Sequence, residues 1–247
     1  MSPKVKRKPK RKRLTRPVQH AEATLLAGFL DGEFPSGSTL PAERALSLRF
    51  GVTRPTLREA LRSLERDGWV TIRQGKPTLV NHFWSEGGLN ILGAILSAGR
   101  EVPPDFIPNL LEVRLALAPS YARAAVEHSP RAVVELLAPH VHLSDEEEPF
   151  AAFDWRVHKG LTLASNNAIF TLILNGFVGV YEPVARLYFT QEEARRASRR
   201  FYLALSRAAE RKNAAAAEQV TADAMRESIA FFHRIEAPGI VPTGEAL

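Results

Sequence analysis

Arg54, Arg58 and Arg62, four residues apart, share one side of a short stretch with Thr56, while Leu57, Ala60, Leu61 and Leu64 share another. A guanidinium presents a planar fork of donors that matches guanine O6 and N7, and a threonine can reach a phosphate or a thymine methyl. Read as a helix, the stretch has one face for a protein core and one for a nucleic-acid groove. Arg44 lies upstream, placed to hold a backbone phosphate. Downstream, Arg73, Gln74, Gly75 and Lys76 put two cations around a flexible glycine, as a phosphate or minor-groove contact requires. An arginine stripe alone equally describes a solvated surface helix. The order of the surrounding elements decides between the two.

Asp154 and His158 form a second group, at i and i+4, so that both project from one helical face. Such a pair can begin a metal site, but two ligands seldom hold a metal firmly, and a pair bonded on the helix surface is the simpler expectation. His140 and His142 lie beside the acidic run Asp145 to Glu148 and read as a solvated loop. Nothing resembles a G-x-S-x-G, H-E-x-x-H or dinucleotide glycine pattern, and Gly75-Lys76-Pro77-Thr78 lacks the upstream glycine and following helix of a phosphate loop. No catalytic residue or cofactor is assigned and no enzyme is expected. The absence of cysteine excludes disulfides, zinc–thiolate sites and thiol nucleophiles, and fits a reducing cytoplasm.

Three helices should position the arginines. Val18 to Leu30 has helical spacing; a second helix starts at Pro41 and runs to Phe50; after the Gly51 turn, Thr53 caps a third that ends at Asp67, with Gly68 as its stop. Trp69 to Arg73 and Thr78 to Asn81 then read as strands around a turn at 74–77. Beyond Gly87 the pattern is helical over 88–98, 105–126, 130–140, 149–165, 168–189, 191–211 and 213–236, with short loops that favour antiparallel packing. Pro119 and Pro183 should start or kink helices. Ala168 to Val180, the longest apolar run, is too short to span a membrane and reads as a buried helix. Gly176 and Gly179 leave room for a close helix neighbour, the preferred reading, or for a ligand. No signal peptide is visible, and no membrane partner is expected.

The fold class is therefore mostly α: an N-terminal winged helix-turn-helix of three helices plus a small β-hairpin, followed by an all-α antiparallel helical bundle. Residues 17–82 form the head, 83–104 a linker and connecting helix, 105–237 the helical domain for sensing and dimerisation, and 238–247 a loose tail. The 247 residues carry a net charge of +6, but nine cations fall in residues 1–16, so the rest is net negative. That basic tail should be disordered, either adding nonspecific phosphate contacts or only solubilising the chain.

Pro41-Ala42-Glu43-Arg44, Gly51 through Leu61, Leu64 and Asp67-Gly68 resemble the GntR family of winged-helix repressors. Asp67 through Thr78, Phe83-Trp84, Gly88 through Leu92, Leu172 through Gly176, Tyr188-Phe189, Phe201-Tyr202 and Glu227-Ser228 resemble its FadR subfamily of fatty acid metabolism regulators. The similarity spans roughly residues 34–236. It implies a cytoplasmic homodimer on a palindromic operator in double-stranded DNA, repressing fatty acid degradation and activating unsaturated fatty acid biosynthesis. Long-chain acyl-CoA would be the effector that releases DNA. By the same resemblance Arg44, Arg54, Thr56, Arg58 and Gly75 contact DNA, and Arg114, Tyr188, Tyr202 and Ser228 line or flank the acyl-CoA site. Pro55 stands where the subfamily has threonine and Gln74 where it has histidine, which alters operator preference. Ala222-Asp223-Ala224-Met225-Arg226 replaces paired basic residues and a glycine, removing charge where CoA should lie. Other members of the family hold a metal and a carboxylic acid with a pair like Asp154 and His158 plus two further histidines; Tyr202 and Arg226 stand near those places. A carboxylic-acid sensor, with or without metal, is thus the alternative, and an enzyme acting on acyl-CoA a more remote one.

Overall fold

The computed structural model describes residues 17–97 and 105–234. The expectations for the basic stretch 1–16, for part of the connecting segment and for the C-terminal tail lie outside them. The described residues fall into two compact units, one ending at Gly88 and the other beginning at Leu89.

In the first unit, α1 (Pro17–Leu30), α2 (Glu43–Phe50) and α3 (Arg54–Arg66) precede a hairpin of β1 (Val70–Thr71) and β2 (Leu79–Val80), then the short α4 (Phe83–Glu86). Helix α3 forms because its ends and faces agree. The Thr53 side chain accepts from Thr56 N at 3.3 Å, Pro55 occupies the first turn, and Leu57, Ala60, Leu61 and Leu64 are all buried. Thr53→Ala is expected to cost about 1 kcal/mol, read as a lower urea midpoint; an unshifted midpoint would assign the cap no role. The apolar stripe packs on α1 and α2, and Gly51 makes the turn between α2 and α3 at φ 65°. Below them Trp69, fully buried, stacks on Phe29 at 6.0 Å and meets the tilted ring of Phe83 at 4.8 Å, so α4 closes the same core.

The head departs from the sequence reading at the start of α2, at both strands and in an additional extended piece. Helix α2 starts at Glu43 rather than Pro41, because Leu40 N donates to Thr78 O at 2.8 Å and carries the chain in extended to Ala42. The strands are two residues each, in register Val70 with Val80 and Thr71 with Leu79. They stop early because Ile72 N turns to Glu65 Oε1 at 2.7 Å instead of the ladder. A third extended piece had no alternating signal: Gly37 N bonds Val80 O, Val80 N bonds Ser38 O, and Thr39 bridges Leu79.

The second unit holds α5 (Asn90–Ser97), α6 (Phe106–His128), α7 (Pro130–Leu137), a 3-10 turn (Ala138–His142), α8 (Glu147–Ala164), α9 (Ala168–Gly176), α10 (Val178–Phe189), α11 (Glu192–Glu210) and α12 (Ala214–Arg234). Its core joins Tyr121 and Ala125 of α6, Leu137 of α7, Phe150, Val157 and Leu161 of α8, Phe201 and Leu205 of α11, and Met225 of α12. A smaller cluster joins Leu96, Ile107, Leu111, Val180 and Val184.

The helix expected over 168–189 is two helices, α9 and α10, bent by 71° around Phe177. Glycine is a weak helix former, and here two glycines accept close neighbours. A Cβ on Gly176 would meet Leu89 at 2.7 Å, and one on Gly179 would lie 3.0 Å from Gly93 Cα. Both therefore serve tight packing. Nor is α9 a buried helix: it has no fully buried residue, and Ile169 and Leu172 are 58% and 63% exposed. Pro119 and Pro183 lie inside α6 and α10 rather than at their starts. The expected loop at His140 and His142 is the 3-10 turn, and Asp145 is paired with Arg195 at 3.2 Å and Arg199 at 3.5 Å. Among the described residues no single helix is long and apolar enough to cross a membrane; only the bent α9–α10 pair passes together.

Candidate nucleic-acid interface and ligand cavity

Burial of the leucine stripe leaves Arg54, Arg58 and Arg62 exposed on α3. Thr56, half-buried beside them, shares a 2.8 Å hydrogen bond with the Thr53 hydroxyl. Arg44 is exposed in the first turn of α2. At the hairpin tip Arg73, Gln74, Gly75 and Lys76 are all exposed, Gly75 at φ 69°, with Lys76 N bonded to Arg73 O at 3.3 Å. One acidic side chain enters this face: Glu43 Oε2 accepts from Arg58 Nε at 2.7 Å and lies 3.9 Å from Arg54 Nη2.

The helical unit encloses a cavity of about 800 Å³, its open mouth included. Leu110, Leu111 and Leu117 of α6, Phe170, Ile173 and Leu174 of α9, Phe177, Val180 and Val184 around and along α10, and Phe232 of α12 supply an apolar wall. Polar groups converge at one end: Arg114, Asp154, Tyr181, Tyr188 and Ser228. A smaller cavity of about 320 Å³ shares Arg114, Asp154, Tyr188 and Ser228 and continues past Ser198, Ala224, Met225 and Glu227.

The polar end is a charged knot. Arg114 Nη2 donates to Asp154 Oδ2 at 2.9 Å, the Tyr181 hydroxyl donates to the same oxygen, and the Tyr202 hydroxyl donates to Oδ1 at 2.9 Å. Burial alone would push the Asp154 carboxyl up, but the Arg114 charge and the two tyrosine hydrogen bonds hold it below the ordinary carboxylate range. Burial also opposes the Arg114 charge; Tyr181 and Asp154 outweigh it, and the guanidinium stays cationic. His158 shares a 2.7 Å hydrogen bond with Tyr121 through Nδ1, while Nε2 has no partner and lies 3.8 Å from Asp154 Oδ2. Burial, with Arg114 nearby, pushes its pKa down to about 3, so the ring is neutral. The Tyr188 hydroxyl is raised to about 12 by burial and by Asp154.

Of the residues sought as ligand contacts, Arg114, Tyr188 and Ser228 line both cavities. Tyr202 lines neither; fully buried, it is spent on Asp154. The pair Asp154 and His158 is not on a helix surface but buried, against the expectation, because Arg114 and three tyrosines satisfy it. Among the described residues no three His, Asp or Glu side chains converge as metal ligands. Tyr202 occupies one place where a further ligand was sought, and Arg226 pairs instead with Asp223 at 2.8 Å on the exposed side of α12. Within Ala222 to Arg226, Ala224 and Met225 face the smaller cavity. Tyr121 and Tyr181 were missed: no local spacing marks either of them, and only the fold brings Tyr121 to His158 and Tyr181 to Asp154. Trp155 packs on Tyr181 at 4.7 Å, behind the cavity wall.

A winged helix-turn-helix head followed by such a helical domain defines a transcriptional regulator, not an enzyme. Residues 17–80 match the family model described as bacterial regulatory proteins, gntR family, and residues 81–238 match the FadR C-terminal domain. The chain belongs to the GntR family of bacterial regulatory proteins, in its FadR branch. It is 45% identical over 197 residues to the fatty acid metabolism regulator protein of Shewanella frigidimarina, covering 80% of this chain and 82% of that one. Against the protein of the same description from Yersinia pestis the identity is 46% over 190 residues, covering 77% and 80%. The fold is shared with Lar, which controls the expression of the Listeria monocytogenes agr system, at a TM-score of 0.63 and 16% identity, covering 90% of this chain and 99% of Lar.

Proposed function

We propose that the protein is a cytoplasmic homodimer that binds a palindromic operator in double-stranded DNA, represses fatty acid degradation, activates unsaturated fatty acid biosynthesis, and leaves DNA when long-chain acyl-CoA fills its helical domain. The description of its relatives supports the fatty acid part. In the head, Arg54, Thr56 and Arg58 enter the major groove, Arg44 holds phosphate, and Arg73, Gln74, Gly75 and Lys76 meet the backbone or minor groove.

The observation that carries the ligand reading is the about 800 Å³ apolar cavity with a polar end. An acyl chain suits the leucine and phenylalanine wall, and a thioester carbonyl suits donors from Arg114 and Tyr188; Ser228 flanks them, its hydroxyl donating to Met225 O at 2.7 Å. The smaller cavity beyond Ser228 leads toward the nucleotide. A metal-held carboxylic acid is not favoured, since Asp154 already accepts from three side chains.

Full release requires about 5.5 kcal/mol of differential binding between the competent and incompetent states. Calorimetric titration of the full chain with oleoyl-CoA, beside a short-chain dicarboxylate with and without chelator, tests the assignment. Oleoyl-CoA is expected to bind and to displace a pre-bound operator duplex in a gel shift, while the dicarboxylate gives no heat. Heat from the dicarboxylate alone, abolished by chelator, would overturn it.

A further inference from the structure

A carboxylate on a face built to meet DNA needs a reason. Glu43 is the first residue of α2, and it reaches across to α3 to accept from Arg58 Nε at 2.7 Å, with Arg54 Nη2 at 3.9 Å. It is half as exposed as the arginines it holds, 29% against 57% and 56%. Two ordinary explanations fail. Negative charge beside a polyanion weakens affinity, because fewer net cations displace counterions. A solvent-exposed ion pair adds little to stability.

What the contact does supply is orientation. The carboxylate takes only Nε, and neither Nη1 nor Nη2 of Arg58 has a partner among the described residues. Recognition of guanine needs two parallel donors in one plane. An arginine held at Nε has that plane fixed while its terminal fork stays unspent. A free arginine must give up rotamer freedom on binding.

We infer that Glu43 is a positioning residue for base recognition: its carboxylate fixes the guanidinium of Arg58, and more loosely that of Arg54, in the attitude that reads a base. The inference rests on the reading of α3 as the helix that enters the groove. Sequence discrimination is thereby gained at the expense of general affinity for DNA.

The test uses the full chain and a duplex that it enriches from a randomised pool, together with every single-base-pair variant of that duplex and a random-sequence duplex, all at one salt concentration. Arg58→Ala should erase discrimination at one base pair per half-site. Glu43→Ala should lose about tenfold of discrimination at that same base pair, with other positions unchanged, while binding the random duplex more tightly. Glu43→Gln removes the charge but keeps an oxygen that can accept from Nε; it should bind the random duplex as Glu43→Ala does and keep wild-type discrimination. Glu43→Asp keeps the charge but is too short to reach, so it should lose discrimination without gaining random affinity. Wild-type discrimination in Glu43→Ala and Glu43→Asp, or equal loss in Glu43→Gln, would overturn the positioning role while leaving α3 as the reader. No position-specific loss in Arg58→Ala would instead overturn the reading of α3, and the role of Glu43 with it.

Discussion

Asp154→Ala is expected to destabilise the protein by about 3–5 kcal/mol, the cost of leaving a buried charge without its partner. The substitution strips three donors at once. Arg114 Nη2, the Tyr181 hydroxyl and the Tyr202 hydroxyl all donate to this carboxylate, which is buried at the polar end of the cavity. No other carboxylate among the described residues is paired with Arg114. Urea unfolding followed by circular dichroism reads the loss directly. Removing the partner charge as well should restore much of it: the pair Arg114→Met with Asp154→Leu replaces a buried ion pair by apolar volume, a change that is often neutral. A loss below about 1 kcal/mol in Asp154→Ala would mean that water reaches Arg114 and that the knot is not desolvated.

Acidification should weaken the fold well before carboxylates titrate. His158 is neutral and buried, with its pKa pushed down to about 3, against about 6.5 in an unfolded chain. Below pH 6.5 the unfolded chain takes up a proton that the folded one refuses. The stability that the neutral ring supplies is therefore complete above pH 6.5 and drains as pH falls toward 3, by up to about 1.4 kcal/mol per unit. Asp154, held below the ordinary carboxylate range, acts in a lower window, beneath about pH 3.9. Unfolding free energies at pH 7, 6, 5 and 4 should trace this slope. His158→Gln, which can still meet Tyr121, should flatten it. Identical slopes in the parent and His158→Gln would remove His158 as the cause.

The parts of the fold that were legible in the sequence are those in which one helix settles its own geometry. Leu57, Ala60, Leu61 and Leu64 recur at the helical period, Thr53 offers a cap, and the exposure of Arg54 and Arg58 follows from burying the other side. The features that were not legible depend on distant partners. The break at Phe177 follows from Leu89 beside Gly176 and Gly93 beside Gly179, contacts across more than eighty residues. The extended piece at 37–40 has no pattern of its own and exists because Val80 and Thr78 have hydrogen bonds to share. In the cavity, Arg114, Tyr188 and Ser228 came from resemblance, whereas Tyr121 and Tyr181 came only from the fold, because burying His158 and Asp154 requires partners for them and no local spacing encodes which residues those are.

The placement of the three tryptophans gives the protein its own optical reporters. Trp69 lies wholly inside the head between Phe29 and Phe83, and Trp84, in the next turn of chain, is 59% open to solvent. Trp155 leans on Tyr181, whose ring faces the cavity. Their emission accordingly separates into a blue-shifted signal for head integrity, a red-shifted one for its surface, and a third that responds when the space beside Tyr181 is filled. A chain in which only Trp155 is kept, the other two being changed to phenylalanine, converts cavity occupancy into a change of light without any attached dye.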